Sequence, residues 1–430
     1  MRRYISLFVV MVGVIFFSGC NRQKIKYEDT YIAGQDFPYM YYGSSYEFGV
    51  NTIETEDGYY KMVNQFIYYI DKNNMQTTPL CGKADCLHDQ ETAEKRNECN
   101  AYTNSNDGYL YQSGEYMYYM AHDYDKENDK WKMNLYQISM DGSERNIVCT
   151  VKEQNIYLWL IHRGYVYYVT NEKGNDGKRH NALKRFAVED NSHKVETIKV
   201  LNEIYNGQPD TLEAYGNYVY FYTLGYNEDI ENDLSKNWTK TLANCWFCYN
   251  ITTSEVKEIF TEQRENNDTV KIAQHIRFWQ DKLLTMYSYQ DGKEHEDEKV
   301  IYQYDLDGYN KKKLLTVEDS MDCFCADNNY LYVYNTWRDT VADGKEEAKM
   351  IVYDKDLKEI DQIGMPMSPY THLAPGNNEC FLANQESEDT IAIIYMDKSK
   401  IGSYQGKQME ARACYETKKV DDQAGMEITE

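Results

Sequence analysis

A two-residue turn of polar or glycine residues, followed at once by a short aromatic run, recurs seven times along this chain, and no other feature restricts its fold as much. The turns are Asn64-Gln65, Gly114-Glu115, Arg163-Gly164, Gly216-Asn217, Gln280-Asp281, Asn328-Asn329 and Asn377-Asn378, at intervals of 50, 49, 53, 64, 48 and 49 residues. Runs such as Phe66-Ile67-Tyr68-Tyr69, Tyr116-Met117-Tyr118-Tyr119, Tyr165-Val166-Tyr167-Tyr168 and Tyr330-Leu331-Tyr332-Val333 follow them. A period near fifty built from short strands implies an all-β fold, a β-propeller of four-stranded antiparallel blades. Seven blades fit best, and six or eight remain compatible with the spacing.

Within each repeat the turn is expected to join the first strand to the second, with a third strand later: Met133 to Ser139, Ala182 to Val188, Cys245 to Ile251, Val300 to Leu306, Met350 to Asp354 and Ile391 to Met396. Asp141-Gly142 and Asp307-Gly308 are hairpin signals for the turn to a fourth strand. Many of these runs are apolar or aromatic on both alternating faces, the pattern of a sheet covered on both sides. Helical periodicity is nearly absent, so little helix is expected. The segment Tyr41 to Val50 is placed to pair with the last sheet and close the ring; alternatively Lys400 to Gln408 supplies that sheet's outer strand. Connections from second to third strands run long in five repeats: His122 to Lys130, Asn171 to Asn181, Gly225 to Asn244, Gln290 to Lys299 and Asn335 to Ala348. Loops gathered on one face of a rigid scaffold mark a working surface.

The 43 tyrosines suit half-buried strands whose phenol tips reach water or a backbone carbonyl. At the N-terminus, Arg2-Arg3 precedes the apolar stretch Ile5 to Phe17 and then Ser18-Gly19-Cys20, a secretory signal too short for a good membrane span. Its Phe17-Ser18-Gly19-Cys20 ending resembles the bacterial lipoprotein signal, in which the cysteine is acylated and becomes the first residue. The expected organisation is a signal peptide over 1–19, a lipidated terminus and tether over 20–40, a propeller over 41–415 and a disordered acidic tail over 416–430. Loss of 1–19 removes Arg2 and Arg3 and no acid, taking the formal net charge from -24 to -26. The lipoprotein signal places the protein on the outer face of the cell membrane, and because anionic lipid and nucleic acid repel such a body, it is expected to hang outward from the bilayer rather than lie on it.

The densest group of chemistry-bearing residues is Cys81, Cys86, His88 and Cys99. Three thiols and one imidazole are the soft donor set of a closed, structural tetrahedral zinc site. An extracytoplasmic setting equally allows a disulfide within the set, or free thiols. Cys245 and Cys248 flank Trp246-Phe247 within a strand, pointing to opposite faces, and Cys323 and Cys325 share one face as core residues. The acidic run Asp123, Asp125, Glu127, Asp129 lacks the glycine and closing glutamate of a calcium loop. No nucleophile elbow, zinc-protease helix or phosphate-binding loop occurs, and the remaining histidines are scattered singly.

Two segments carry a family likeness. They are Asp107-Gly108-Tyr109-Leu110-Tyr111 with Gly114-Glu115-Tyr116, and Leu80-Cys81-Gly82-Lys83-Ala84-Asp85-Cys86-Leu87-His88 with Cys99-Asn100-Ala101. Over about residues 40–400 the chain resembles the lipid-anchored β-propellers of clostridial and related bacteria, whose repeats are TolB-like or similar to those of the low-density-lipoprotein receptor. That resemblance implies the fold and no activity. The expected role is a non-catalytic surface lipoprotein whose loop-rich face binds a peptide, glycan or partner protein and no nucleic acid. The alternative is a carbohydrate-active enzyme or glycan receptor using Trp159, Trp238, Trp279 and Trp337 as stacking platforms.

Overall fold

The computed structural model describes residues 28–32, 36 and 52–419, except 89–92, 106–108, 126–129, 154–155, 175–176, 202–208, 227–241, 261–262, 265–269, 290–292, 294, 322, 336–346 and 367–378. Seven antiparallel sheets follow one another along the chain. The first holds β1 (Thr52–Glu54), β2 (Gly58–Val63), β3 (Phe66–Asp71) and β4 (Thr77–Pro79); the second, β5 (Tyr111–Ser113), β6 (Tyr116–Asp125), β7 (Lys130–Ser139) and β8 (Arg145–Val151). The third holds β9 (Ile156–His162), β10 (Tyr165–Lys173), β11 (Arg179–Ala187) and β12 (Glu196–Val200); the fourth, β13 (Pro209–Tyr215), β14 (Tyr218–Tyr226), β15 (Leu242–Asn250) and β16 (Glu255–Ile259). The fifth gains an extra strand ahead of its four, β17 (Gln263–Arg264), followed by β18 (Val270–Trp279), β19 (Lys282–Tyr289), β20 (Val300–Tyr304) and β21 (Lys312–Thr316). The sixth holds β22 (Cys323–Ala326), β23 (Leu331–Tyr334), β24 (Lys349–Tyr353) and β25 (Glu359–Gly364), and the seventh β26 (Cys380–Glu386), β27 (Thr390–Asp397) and β28 (Arg412–Lys418). One six-residue helix, α1 (Ala93–Glu98), is the α-helix of the described residues.

These sheets form a closed seven-bladed propeller. Each hydrophobic cluster spans neighbouring sheets, and the last sheet returns to the first: Cys380, Leu382, Ile391 and Ile393 pack in one cluster with Ile53, Tyr59, Ile67 and Tyr68. The tyrosines link blade to blade as their composition implies. Tyr60 donates to Met140 O at 3.0 Å and Tyr111 to Trp159 O at 3.0 Å, while the Tyr220 hydroxyl reaches Leu306 O. Each phenol thereby buries its ring between two sheets and still satisfies its hydroxyl. Cys245 and Cys248 lie in different clusters, on opposite faces of β15, as strand geometry requires.

The expected third-strand runs coincide with β7, β11, β15, β20, β24 and β27. Of the turns, Arg163-Gly164 and Gln280-Asp281 have positive φ at both positions, the geometry that matches strand twist in a two-residue hairpin. Asn64-Gln65 has it too, but joins β2 to β3, so in the first blade the recurring turn is one strand out of phase with the others. Asn377-Asn378 lies outside the described residues.

Of the two sequence expectations for ring closure, only the second falls on described residues, and the structure differs from it. Tyr41 to Val50 lies outside the described residues. Lys400 to Gln408 is not the seventh blade's outer strand: that place belongs to β28, paired with β27. Instead the segment folds back on the sixth blade, where Gly364 N donates to Lys407 O at 3.0 Å and Gly406 N to Gln362 O at 2.6 Å. The Asp361 carboxylate draws it there by accepting the amides of Gly402, Tyr404 and Gln405 at 2.7, 3.0 and 2.8 Å. Strand β28 carries Glu416, Thr417 and Lys418 out of the expected tail and into the sheet, and residues 420–430 lie outside the described residues.

Candidate functional site

The cysteine-rich segment is an insertion in the outer strand of the first blade. Strand β4 pairs with β3 through Tyr68↔Pro79, and Leu80 N continues the ladder to Ile67 O at 2.8 Å. The chain then departs and returns at Ala101–Thr103, where Ile67 N donates to Ala101 O at 2.9 Å and Thr103 N to Gln65 O at 2.8 Å. The two halves of one strand position thus bracket residues 81–100. That insertion is pinned to the hairpin between β7 and β8: Asn100 Nδ2 donates to Gly142 O at 2.9 Å and to Ser143 O at 3.0 Å, and Gly82 N to Gly142 O at 3.0 Å. Gly142 sits at φ +68°, and a Cβ there would stand 2.6 Å from Leu80 O, so glycine permits this approach. Arg145 holds the far end through Cys99 O at 3.0 Å, Asn97 O at 2.8 Å and Tyr102 O.

Within this frame the sulfurs of Cys81, Cys86 and Cys99 and one ring nitrogen of His88 all lie within 4.8 Å of one another. His88 adopts φ +52°, a left-handed turn that swings its ring back toward Cys99, with Nδ1 3.6 Å from Sγ. A tetrahedral ion about 2.3 Å from sulfur and about 2.05 Å from nitrogen sets adjacent N and S donors about 3.6 Å apart. The donor set therefore fits zinc. Burial and the neighbouring Cys81 and Cys86 sulfurs push the fully buried Cys99 thiol up to about 12, though a backbone hydrogen bond at Ala101 opposes them. At Cys81 burial acts upward, but hydrogen bonds from the Lys83 and Asn100 backbone and from Cys86 and Cys99 outweigh it, and the thiol falls below its usual range. Hydrogen bonding favours the thiolate at Cys81 while burial and repulsion disfavour it at Cys99, a situation that a divalent cation relieves. All ten cysteines of the described residues are free thiols.

Other expected residues fall differently. Trp159 and Trp279, expected as stacking platforms, are 3% and 5% exposed and belong to the core between blades, because strand alternation turns them into the stack rather than to a face. Trp238, Trp337 and Cys20 lie outside the described residues. The open aromatic pair is instead Tyr124 and Trp131, 45% and 52% exposed, directly opposite each other across β6 and β7 with ring centroids 5.3 Å apart. They stand at the end of the β6–β7 hairpin: the strands run through most of the expected loop His122 to Lys130 and leave only 126–129 between them, as β10 and β11 leave only 174–178 of Asn171 to Asn181, while the links of β14 to β15, β19 to β20 and β23 to β24 on the same face stay long. Asp123, from the acidic run, accepts from Asn134 Nδ2 at 2.6 Å and from the Tyr136 hydroxyl rather than standing open to a cation. On the outer rim, a cavity of about 650 Å³ is lined by Cys149, Lys152, Glu153, Phe186, His193 and Lys194. Burial pushes the Cys149 thiol up to about 11, the opposite of an activated nucleophile.

No protein-family model matches the chain, and no curated protein matches it. Among solved structures, one from a study of two prolyl endopeptidases is 10% identical over 89% of this chain and 51% of that one, with a TM-score of 0.50. The β-propeller domain of the trilobed protease from Pyrococcus furiosus is 12% identical over 75% of this chain and 98% of its own, with a TM-score of 0.44. TolB from Acinetobacter baumannii is 13% identical over 84% of this chain and 80% of its own, with a TM-score of 0.34. At such identities the likeness shows the propeller fold alone. The chain spans about half the length of the prolyl endopeptidase that it matches. No helix of the described residues is long and apolar enough to cross a membrane.

Proposed function

We propose that the protein is an extracytoplasmic lipoprotein, anchored through acylated Cys20, whose propeller binds a peptide, glycan or partner protein on the face of the long second-to-third-strand connections, without catalysis. The observation that carries this reading is the placement of the exposed Tyr124–Trp131 pair on that face. Aromatic pairs left open to water at a hairpin end offer large contact area at low conformational cost. A glycan receptor or carbohydrate-active enzyme is the second reading, favoured by the same pair, since aromatic faces stack on sugar rings. Cys81, Cys86, His88 and Cys99 hold one structural zinc ion in this proposal, closing a 20-residue insertion whose described residues include one short helix. With four protein donors no coordination position is left for a substrate water.

Glycan and peptide arrays probed with the soluble domain test the binding role, alongside Trp131→Ala. A ligand retained in full by Trp131→Ala places recognition elsewhere. Hydrolysis of an oligosaccharide that a loop-face carboxylate variant abolishes replaces the first reading by the second.

A further inference from the structure

Far from the loop-rich face, residues 28–32 and 36 are bound to the tight turns of the third and fourth blades by a single arginine. Arg163 occupies a turn position at φ +47°, where asparagine or glycine is the usual choice, and its side chain is 1% exposed. Its guanidinium spends every donor. Nε and Nη2 clamp the Asp36 carboxylate at 2.6 and 2.9 Å, Nη1 reaches Glu28 O at 3.0 Å and Asn217 Oδ1 at 2.6 Å, and Nη2 also reaches Thr30 O at 3.2 Å. A planar fork with all five N–H groups engaged is geometry that lysine cannot reproduce. Asp36 is further tied by Ile32 N to its Oδ2 at 2.8 Å and by its own amide to Ile32 O at 2.9 Å.

The fourth blade completes the seat. Asn217 Nδ2 donates to Asp29 Oδ1 at 3.2 Å, and His162 Nε2–H donates to Gly216 O at 2.7 Å. Gly216 has φ +55°, and a Cβ there would stand 1.9 Å from Asp29 O, so the segment lies directly on the turn backbone. Tyr31 adds a ring contact with Tyr215 at 6.4 Å. A buried bidentate ion pair between residues 127 positions apart is costly to desolvate, and its full set of partners is what makes it tolerable.

We propose that residues 28–36 are a clasp that fixes the propeller's orientation on its anchor, holding the tight-turn face toward the membrane and directing the long-loop face away from it. This rests on acylation of Cys20, as proposed above. Seven residues separate Cys20 from Glu28, and the eight steps from one to the other reach at most about 28 Å when fully extended. Strands as long as the nine-residue β10 put the two faces about 30 Å apart. The tether is therefore too short to let the docked body turn over. Without the clasp, the free tether would run on past residue 36 toward β1, and the body would tumble.

The test uses the full-length, acylated protein in phosphatidylcholine vesicles carrying a headgroup acceptor dye, with a fluorescent amino acid placed either at Glu115, an exposed tight-turn residue, or at Lys178, exposed in the connection between β10 and β11. Energy transfer from position 115 should exceed that from 178 by about twofold or more over a face separation of about 30 Å, and the ratio should fall toward one in Arg163→Ala and in Asp36→Ala. Equal transfer from both positions in the parent protein overturns the orientation. Absence of vesicle binding sinks the anchor reading and the orientation with it, while the clasp is decided separately by amide exchange of Ile32 and Asp36 in detergent. Slow exchange that either variant abolishes supports the clasp, and random-coil exchange in the parent protein refutes it. Because Asp36 lies outside the blades, its variant keeps the test open if Arg163→Ala fails to fold.

Discussion

Replacing Lys61 by methionine should stabilise the protein at neutral pH. Lys61 lies on β2, where the first blade packs on the last, and is fully buried. Among the described residues its ammonium reaches the Thr52 hydroxyl at 3.5 Å, the outer limit of a hydrogen bond, and no carboxylate pairs with it. Burial lowers its pKa from 10.5 to about 8, only partly offset by the Cys414 sulfur. That difference, at about 1.36 kcal/mol per tenfold change in proton affinity, is a penalty of about 3 kcal/mol on the charged form in the folded state. Below pH 8 the group is protonated folded and unfolded, and the whole penalty is present. Between about 8 and 10.5 the unfolded chain binds more protons, so stability rises with pH until both states are neutral. Lys61→Met retains most of the side-chain volume and removes the penalty, less about 1 kcal/mol for the Thr52 contact. Urea unfolding at pH 7 should therefore show a gain of about 2 kcal/mol over the parent protein, and at pH 10 the gain should largely vanish. Tyrosine ionisation is common to both proteins and cancels in the difference. A variant less stable at pH 7, or a gain equal at both pH values, would refute the argument.

Three further outcomes are expected. Purified protein should contain about one zinc per chain, and Cys86→Ser should lose it and make residues 81–100 protease-sensitive; metal analysis finding none, with Cys81, Cys86 and Cys99 oxidised, counts against the site. Lys398→Met should destabilise by about 3–5 kcal/mol, because Asp327 is then left buried without its ammonium at 2.8 Å, and should recover when Asp327→Asn is added; calorimetry of the single and double variants measures it. Tyr124→Ala should leave the unfolding midpoint within about 0.5 kcal/mol of the parent protein, as expected of a half-exposed side chain, while weakening ligand capture on the arrays; a folding defect without a binding defect would assign the pair to structure.

Much of the ring could be read along the chain, since a blade is a local object. Turn, aromatic run and third strand lie within one repeat, so their spacing and alternation reach the eye in sequence order, and the third-strand runs coincide with strands in six blades. The first blade misled because Asn64-Gln65 has the same turn chemistry at a different joint; hairpin residues specify a φ, not which two strands they join. The group Cys81, Cys86, His88 and Cys99 was legible for the same reason as the strands, being confined to residues 81–99.

What escaped was assembled across blades. Nothing near Asp36 says that it will meet Arg163, and nothing near Asp327 points to Lys398, 71 positions away. Trp159 and Trp279 read as candidate platforms because a sequence shows that a side chain is aromatic without showing which of two covered faces it enters. The one linear hint was an arginine standing where a left-handed turn wants glycine or asparagine, a sign that its side chain was needed more than its backbone ease. Repetition in the chain dictates the strands and their stacking, because each blade must bury both sides. Which carboxylate neutralises which cation, and which face the N-terminal segment occupies, follow only once the ring has closed and brought distant turns within hydrogen-bond reach.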